Sequence, residues 1–299
     1  MRRPGAIPGS TVKVRMKEGY FFKRCPEAHL VSGLFFMKET IQRERFIQTK
    51  RLGLWSLAAT LAIALLLWQL AVLFFNLPAF ILPSPQQVIE RAGVAVADGT
   101  LMRNLSATLL EVLIGLFSGS LLASMLGYWL ARSHLLERML SPFLVASQAI
   151  PMVAIAPLLV IWFGPGIFSK VLICALIVLF PVLVNTVVGL RAVPESLRDL
   201  MHSMRATRLQ MLRYLEIPAA LPVLLGGLRI GATLSVIGAV VGELVGADRG
   251  LGFLINVGRG QYDTALVFVA VFTLIFMALC LYGSVMFIER RVLKWQRAD

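Results

Sequence analysis

Six long apolar runs limit what this chain can fold into. A helix of about 20 mostly apolar residues can cross the ~30 Å hydrocarbon core of a bilayer. Four of the runs meet this rule directly, one is interrupted by three prolines, and one holds an arginine and a glutamate. In chain order the six runs are residues 54–75, 107–131, 140–163, 171–190, 221–245 and 264–288. So many runs in series leave little polar surface to cover them, so the sequence predicts an all-α, polytopic membrane protein with six transmembrane helices.

The composition supports this class and argues against others. The chain of 299 residues is 58% hydrophobic and 15% charged, with a net charge of +13. The basic residues are packed into a few polar stretches rather than spread over one face, so we expect no nucleic-acid partner. The three cysteines, Cys25, Cys174 and Cys280, have no motif spacing. We interpret them as free thiols in packed helices, not as a disulfide or metal framework.

The placement of lysine and arginine predicts the orientation. Of the 29 basic residues, 23 fall in segments that lie on one side of a six-span chain, at residues 1–53, 132–139, 191–217 and 289–299. Only Arg91, Arg103, Lys170, Arg249 and Arg259 fall on the other side. By the positive-inside rule, both termini are cytoplasmic.

The apolar runs and the placement of basic residues together divide the chain into three predicted parts. Residues 1–53 form a basic cytoplasmic tail, with the alternative that translation starts at Met37. Residues 54–290 form the transmembrane domain, and residues 291–299 are a cytoplasmic end.

Two stripes of small residues predict close helix packing. In the second run a small residue recurs at every fourth position, and the fifth run has a similar pattern: Gly115, Gly119, Ala123 and Gly127, then Gly227, Gly231, Ser235 and Ala239. Such faces let helix backbones approach closely in lipid. A narrow solute path would need similar faces, so that alternative stays open.

A polar insert, residues 196–218 with the sequence SLRDLMHSMRATRLQMLRYLEIP, separates two of the runs. Its first half places four apolar residues on one helical face, at Leu197, Leu200, Met201 and Met204. Thr207 and Gln210 have capping-box spacing, which predicts a second short helix through Tyr214, with Pro218 ending the insert. We therefore expect a helix–turn–helix, which we call the bracket, and its apolar stripe needs a groove on its neighbours or on a partner. An ordinary interfacial loop helix is the alternative.

The stretch DLMHSMRATRLQMLRYLEIPAALP resembles the cytoplasmic "EAA" signature of permease subunits of bacterial ATP-driven (ABC) importers. Three residues stand at the Glu-Ala-Ala positions, one at the glycine and three at the end, namely Asp199, Leu200 and Met201, then Arg205, then Leu215, Ile217 and Pro218. The resemblance implies that the bracket, including Leu197, Met204 and Thr207, is a pair of coupling helices seated in a groove of an ATPase subunit. If the turn needs a positive φ, Arg205 in place of glycine costs roughly 1–2 kcal/mol.

Further stretches are similar to permeases that import sulfonates, taurine, nitrate, thiamine precursors and riboflavin. They are FILPSPQQVIERAGVAVADGTL, IPMVAIAPLLVIWFGPGIFSKVLI, FPVLVNTVVGLRAVP and GADRGLGFLI. The resemblance implies a type I ABC importer permease fold in the bacterial inner membrane, with a core module at about residues 103–288. It also implies cytoplasmic ATP-binding subunits that hold ATP and Mg²⁺, an extracytoplasmic solute-binding protein, a second permease copy and surrounding lipid. No cofactor is expected on this chain.

Charged residues inside the runs are candidates for the solute pathway, because an ionisable group at mid-membrane costs at least ~2.5–3.5 kcal/mol and faces protein or water. Glu111, Arg229 and Glu243 are such residues, and Asn185 is added from the resembling stretch. The outer-side charges among them are carboxylates. We therefore expect a neutral or weakly charged heterocycle, such as riboflavin or a thiamine pyrimidine precursor, with sulfonate, taurine or nitrate as the alternative.

Two other functions are less consistent with the sequence. An intramembrane enzyme would need a nucleophile with a histidine at membrane depth, whereas His29, His134 and His202 fall in cytoplasmic segments, so no catalytic or metal residue is proposed. A self-contained, ion-coupled transporter would need broken helices in matching halves. The proline-rich third run gives that hypothesis slight support, but the bracket does not. ATP hydrolysis must come from another chain, because the sequence holds no Gly-x-x-x-x-Gly-Lys-Ser/Thr loop.

The predicted topology can be tested by cysteine labelling. We expect an impermeant thiol reagent applied from outside to label Gly166→Cys or Asp248→Cys and to miss Ser196→Cys, because the first two lie in outer links and the third lies in the bracket. The reverse labelling pattern would show that the orientation is inverted.

Overall fold

A computed structural model describes residue 56, residues 59–149 and residues 151–294, and this part of the chain is helical without strands. The helices are α1 Ala59–Phe74, α2 Pro85–Ala97, α3 Thr100–Arg132, α4 His134–Ala149, α5 Met152–Phe163, α6 Ile167–Arg191, α7 Glu195–Ser203, α8 Arg208–Met211, α9 Ile217–Gly246, α10 Leu251–Gly260 and α11 Thr264–Val292. The chain divides into two compact units, Met1–Ala64 and Leu65–Asp299, and helices α2 to α11 belong to the second. The predicted basic tail and the residues after 294 lie outside the described part.

Four helices of the described part are long and apolar enough to cross a membrane. They are α3, α6, α11 and one continuous helix, Arg208–Gly246, that includes α8 and α9. Two shorter apolar helices, α1 and α5, fall below that length. The all-α class is thereby confirmed, whereas the count of six spans stays a prediction, since the start of the first apolar run lies outside the described residues.

The third apolar run is two helices rather than one. The break falls at Pro151, whose extended backbone precedes α5. Pro142 and Pro157 lie inside α4 and α5. A proline lacks the N–H that a helix interior uses and clashes with the preceding turn, so any of the three could have ended the helix. The structure shows that only the middle one does.

The small-residue stripes of α3 and α9 pack against α6. A Cβ added at Gly119 of α3 would lie 2.6 Å from the carbonyl oxygen of Ala175, and one added at Gly227 of α9 would lie 2.6 Å from the Cβ of Asn185. Such distances leave no room for a side chain, so helix backbones and short side chains are in direct contact there. The predicted packing role is confirmed, and α6 lies between α3 and α9.

The prediction that the cysteines are free thiols in packed helices is confirmed only in part. Cys174 is a buried free thiol of α6, and its Sγ lies 3.4 Å from the carbonyl oxygen of Ser235. Cys280 of α11 is also free, but it is exposed rather than packed. Cys25 lies outside the described residues.

Candidate functional site

The bracket folds as two helices joined by a turn whose geometry explains the glycine of the EAA signature. After α7, the N–H of Ala206 donates to Met201 O at 3.0 Å and the N–H of Arg205 donates to His202 O at 2.9 Å. These two bonds make a Schellman C-cap, which places the residue after the cap in the left-handed region. Arg205 is that residue, with φ of +52°. The turn therefore requires a positive φ, and this chain tolerates an arginine there.

The second half of the bracket begins with the predicted capping box, but it does not end where the sequence predicts. Thr207 and Gln210 form the capping box, because Gln210 N–H donates to the Thr207 hydroxyl and Thr207 N–H donates to the Gln210 side chain. The predicted stop at Pro218 is wrong. A π-helical turn, Leu212–Glu216, continues from α8 directly into α9, and Pro218 is the second residue of α9. A π turn shifts the bonding register so that the missing proline N–H does not break the helix.

The apolar stripe of the bracket has no cover within the described part of the chain. The side chains of Leu197, Leu200 and Met204 are 43%, 56% and 70% exposed, and Met201 is half-buried. The remaining candidates of the bracket vary in exposure: Asp199, Arg205, Thr207 and Ile217 are exposed, whereas Leu215 and Pro218 are half-buried.

One ion pair and one hydrogen bond tie the bracket to the ends of α3 and α6. Buried Glu216 of the π turn pairs with Arg132, the last residue of α3, at 3.1 Å. Arg198 of α7 donates a hydrogen bond to the carbonyl oxygen of Leu190, near the end of α6, at 2.7 Å. The bracket is thus fixed to the helices through its inner side, whereas its apolar stripe faces outward.

A second candidate site is the charge cluster, which consists of Glu111 of α3, Lys170 of α6 and Glu243 of α9. The Nζ of Lys170 lies 3.2 Å from Glu111 Oε1, and both side chains are almost fully buried. The other Glu111 oxygen has no hydrogen-bond partner in the described part, and the carboxyl group of Glu243 lies close enough to interact with that of Glu111. Two carboxyl groups and one ammonium group thus meet in a buried site where like charges repel strongly.

Glu243 also holds the loop between α9 and α10. Its carboxylate accepts hydrogen bonds from the hydroxyl of Thr108 and from the N–H of Gly252, both at 2.6 Å. A Cβ at Gly252 would lie 2.8 Å from the Glu243 Cβ, and one at Gly250, whose φ is +121°, would collide with the carboxylate. The last two glycines of GADRGLG are therefore required by the close approach of this loop to Glu243.

The structure brings together two of the four candidate pathway residues. Glu111 and Glu243 meet in the charge cluster. Asn185 instead donates to Pro181 O within α6 at 2.7 Å. Arg229 pairs with Glu289 of α11, away from the cluster. Sequence reasoning placed Lys170 among the outer loop cations and so missed the partner of Glu111, although a lysine at the start of an apolar run was the available signal.

A cavity of about 510 Å³ borders the charge cluster. Glu111 and Lys170 line it, together with Arg103, Asp248 and Arg249 from the adjoining segments. Gly166 lines the same cavity. The two links that the sequence assigns to the outer side therefore meet at one end of the helices, and the bracket lies beyond the opposite ends of α3, α6 and α9.

Residues 100–294 match the family described as binding-protein-dependent transport system inner membrane component. The chain belongs to this family. It is 46% identical to the riboflavin transport system permease protein RibX of Chloroflexus aurantiacus over 80% of this chain and 90% of that protein. It is 35% identical to the formylaminopyrimidine transport permease protein ThiX of Halalkalibacterium halodurans, over 78% of this chain and 92% of the relative.

Two further matches are more distant. The chain is 32% identical to the taurine transport system permease protein TauC of Escherichia coli over 79% of this chain and 88% of that protein. It is also similar to a chain of the inward-facing MetNI methionine ABC transporter, with a TM-score of 0.58 and 20% identity, over 66% of this chain and 97% of that one. At that identity the likeness concerns the fold alone. The chain is accordingly a permease of an ABC importer, and a multi-pass protein of the bacterial inner membrane.

Removal of the lysine from the charge cluster provides a test of its geometry. We expect Lys170→Met to lower the thermal unfolding temperature of the detergent-purified permease, because losing one partner of a buried ion pair costs about 3–5 kcal/mol. The double variant Lys170→Met/Glu111→Leu should recover much of the loss, since it removes the uncompensated carboxylate. Arg103→Met, an exposed cation of the same cavity, should have little effect. Equal losses in the lysine and arginine variants would contradict the buried pair.

Proposed function

We propose that the permease couples ATP hydrolysis on separate cytoplasmic subunits to solute movement through a pathway formed by two permease copies. In this proposal each chain has six spans with both termini in the cytoplasm, and an extracytoplasmic protein delivers the solute. ATP and Mg²⁺ bind to the ATPase subunits, because this chain has no phosphate-binding loop. The observation that carries the proposal is the exposed apolar stripe of the bracket on a fixed helix–turn–helix.

The bracket has the features of a docking element. Three stripe residues expose apolar surface to water. Full burial of each of these side chains by a partner would stabilise the complex by up to ~1.5–3 kcal/mol. Asp199 and Arg205 flank the stripe and are exposed. Charged residues at the edge of an interface contribute more to its register than to its affinity. We therefore expect each permease copy to dock its bracket in a groove of one ATPase subunit.

The helix that follows the bracket offers a mechanical connection to the charge cluster. From Arg208 to Gly246 the chain forms one continuous helix of 39 residues, about 58 Å long at 1.5 Å per residue. A displacement of the bracket therefore moves the far end of α9 as well. There Glu243 is hydrogen-bonded to α3 and to the loop that begins α10. In the proposed mechanism this connection opens or closes the cavity beside the charge cluster to the solute when the ATPase subunits close.

For the solute, we propose a neutral or weakly charged heterocycle of the riboflavin or thiamine-precursor type. The relatives RibX and ThiX support this assignment at 46% and 35% identity, compared with 32% for TauC. The cavity beside the charge cluster is lined by three cationic side chains and two carboxylates, and the carboxyl of Glu243 adjoins Glu111, so the positive charge is balanced. A path for sulfonate or nitrate would be expected to offer excess positive charge.

The coupling role is tested by placing a charge in the apolar stripe. We expect Leu200→Asp to leave the permease inserted but to lower co-purification of the ATPase subunit at least about tenfold, because burying one leucine contributes ~1.5–3 kcal/mol. Val292→Asp, which alters an exposed apolar residue at the end of α11, serves as the matched control and should retain the ATPase. If Leu200→Asp transports normally with its ATPase, the bracket is an interfacial loop and the coupling proposal is wrong.

The solute is tested in proteoliposomes that contain the permease, its ATPase and its solute-binding protein. We expect ATP-dependent uptake of radiolabelled riboflavin or of a thiamine pyrimidine precursor, and no uptake of taurine. The Leu200→Asp permease in the same vesicles controls for leakage. Taurine uptake without uptake of either heterocycle would transfer the assignment to the sulfonate and taurine group. Uptake that needs neither ATP nor the ATPase would instead favour the ion-coupled transporter.

A further inference from the structure

The bracket encloses a second cavity on its inner side. This cavity has a volume of about 530 Å³ and lies between the bracket and the ends of α3 and α6. Volumes of 300–1,000 Å³ are typical of sites that hold small ligands. The side chains that determine its chemistry are Tyr128, Arg132, Arg198, His202, Arg208 and Glu216. None of the apolar stripe residues lines it, so the cavity is distinct from the proposed ATPase-docking surface.

The arginines of this cavity have more hydrogen-bond donors than the surrounding protein uses. The one carboxylate, Glu216, is already paired with Arg132. Arg198 donates one bond to Leu190 O at 2.7 Å, and its buried Nε has no acceptor in the described part of the chain. The side chain of Arg208 makes neither a hydrogen bond nor an ion pair with any described residue. A buried guanidinium nitrogen without an acceptor is costly, so an anion is the ligand that would satisfy this site.

The position of the cavity indicates where an anion would come from. It lies at the ends of two membrane-crossing helices. The guanidinium of Arg132 lies 4.7 Å from the ring centre of Tyr128, and the neighbouring Trp129 is 65% exposed. Aromatic and arginine side chains at a helix end are typical of the headgroup level of a bilayer. Basic pockets between transmembrane helices at this depth bind anionic lipid headgroups.

We propose that this cavity binds the phosphate group of an anionic phospholipid. The phosphodiester accepts hydrogen bonds from Arg198 and Arg208, while the acyl chains extend along α3 past Trp129. The bound headgroup fills the space between the bracket and the helix ends, and so fixes the distance between them. The inference rests on the proposed function only in assigning the lipid to the cytoplasmic leaflet.

Native mass spectrometry of the purified full-length permease tests this site without ATP, ATPase or solute. The protein in detergent is titrated with phosphatidylglycerol or with zwitterionic phosphatidylcholine. We expect retained phosphatidylglycerol and little phosphatidylcholine. Each arginine near a lipid surface contributes about 1 kcal/mol, which corresponds to about fivefold in affinity. Arg208→Gln should thus weaken phosphatidylglycerol binding about fivefold, and Arg198→Gln/Arg208→Gln on the order of 25-fold.

The controls separate the lipid from other ligands. Arg290→Gln alters an exposed arginine at the end of α11 and should retain phosphatidylglycerol as the unaltered chain does. Because the Arg208 side chain is exposed and has no hydrogen bond or ion pair with a described residue, its variant should fold even if the double variant does not. Unchanged phosphatidylglycerol binding in Arg208→Gln would overturn the proposal. Displacement of the lipid by millimolar inorganic phosphate would show a soluble-anion site and overturn the lipid assignment. In a separate pull-down with the ATPase subunit, loss of its co-purification in Arg208→Gln without a change in lipid binding would place Arg208 in the ATPase interface instead.

Discussion

The contact of α3 and α9 with α6 is the constraint on which the rest of the structure depends. In lipid, helices gain little from the hydrophobic effect when they associate, so close packing over small residues must hold them together. Gly119 and Gly227 provide this approach on the two sides of α6. Because three helices lie this close, Glu111, Lys170 and Glu243, one from each, can meet in a single buried site. A bulkier residue in either stripe would separate the helices and leave these charges without partners.

The charges inside the membrane-crossing helices position other parts of the protein. Glu243 receives the N–H of Gly252 and thereby fixes the loop before α10. Arg229 ties α9 to α11 through Glu289. Buried ion pairs add little net stability compared with apolar packing, but removing one partner is strongly destabilising. Their contribution here is to specify the rotation and depth of each helix, and so to hold the cavity beside the charge cluster in a defined shape.

The bracket combines two surfaces with different chemistry. Its outward side carries the exposed apolar stripe, which suits a protein groove, and its inner side carries arginines with unused donors, which suit a phosphate. The continuous helix from Arg208 to Gly246 joins both surfaces to the charge cluster. If both proposals hold, a motion imposed on the bracket is transmitted along this helix to the far end of α9, and the lipid bound on the inner side opposes or permits it. The docking and lipid proposals therefore concern the same element, the bracket.

The local elements could be predicted from the sequence, because they depend on residues close together in the chain. The long apolar runs specified the all-α class and the membrane, and the spacing of Thr207 and Gln210 specified a capping box. The EAA resemblance placed Arg205 at the position where the turn has a positive φ. Each of these features follows from helical periodicity or from backbone hydrogen bonds within a few residues.

Other features depended on tertiary packing. The sequence did not show that Lys170 pairs with Glu111, that a π turn carries the helix past Pro218, or that Pro151 alone divides the third run. It also did not show that Asn185 and Arg229 lie away from the two glutamates. Side chains from different helices meet only when the rotation and depth of each helix are set, and contacts such as those at Gly119 and Gly227 set them. Periodicity within one helix contains no information on that relative placement, so only the tertiary structure determined which charges became partners.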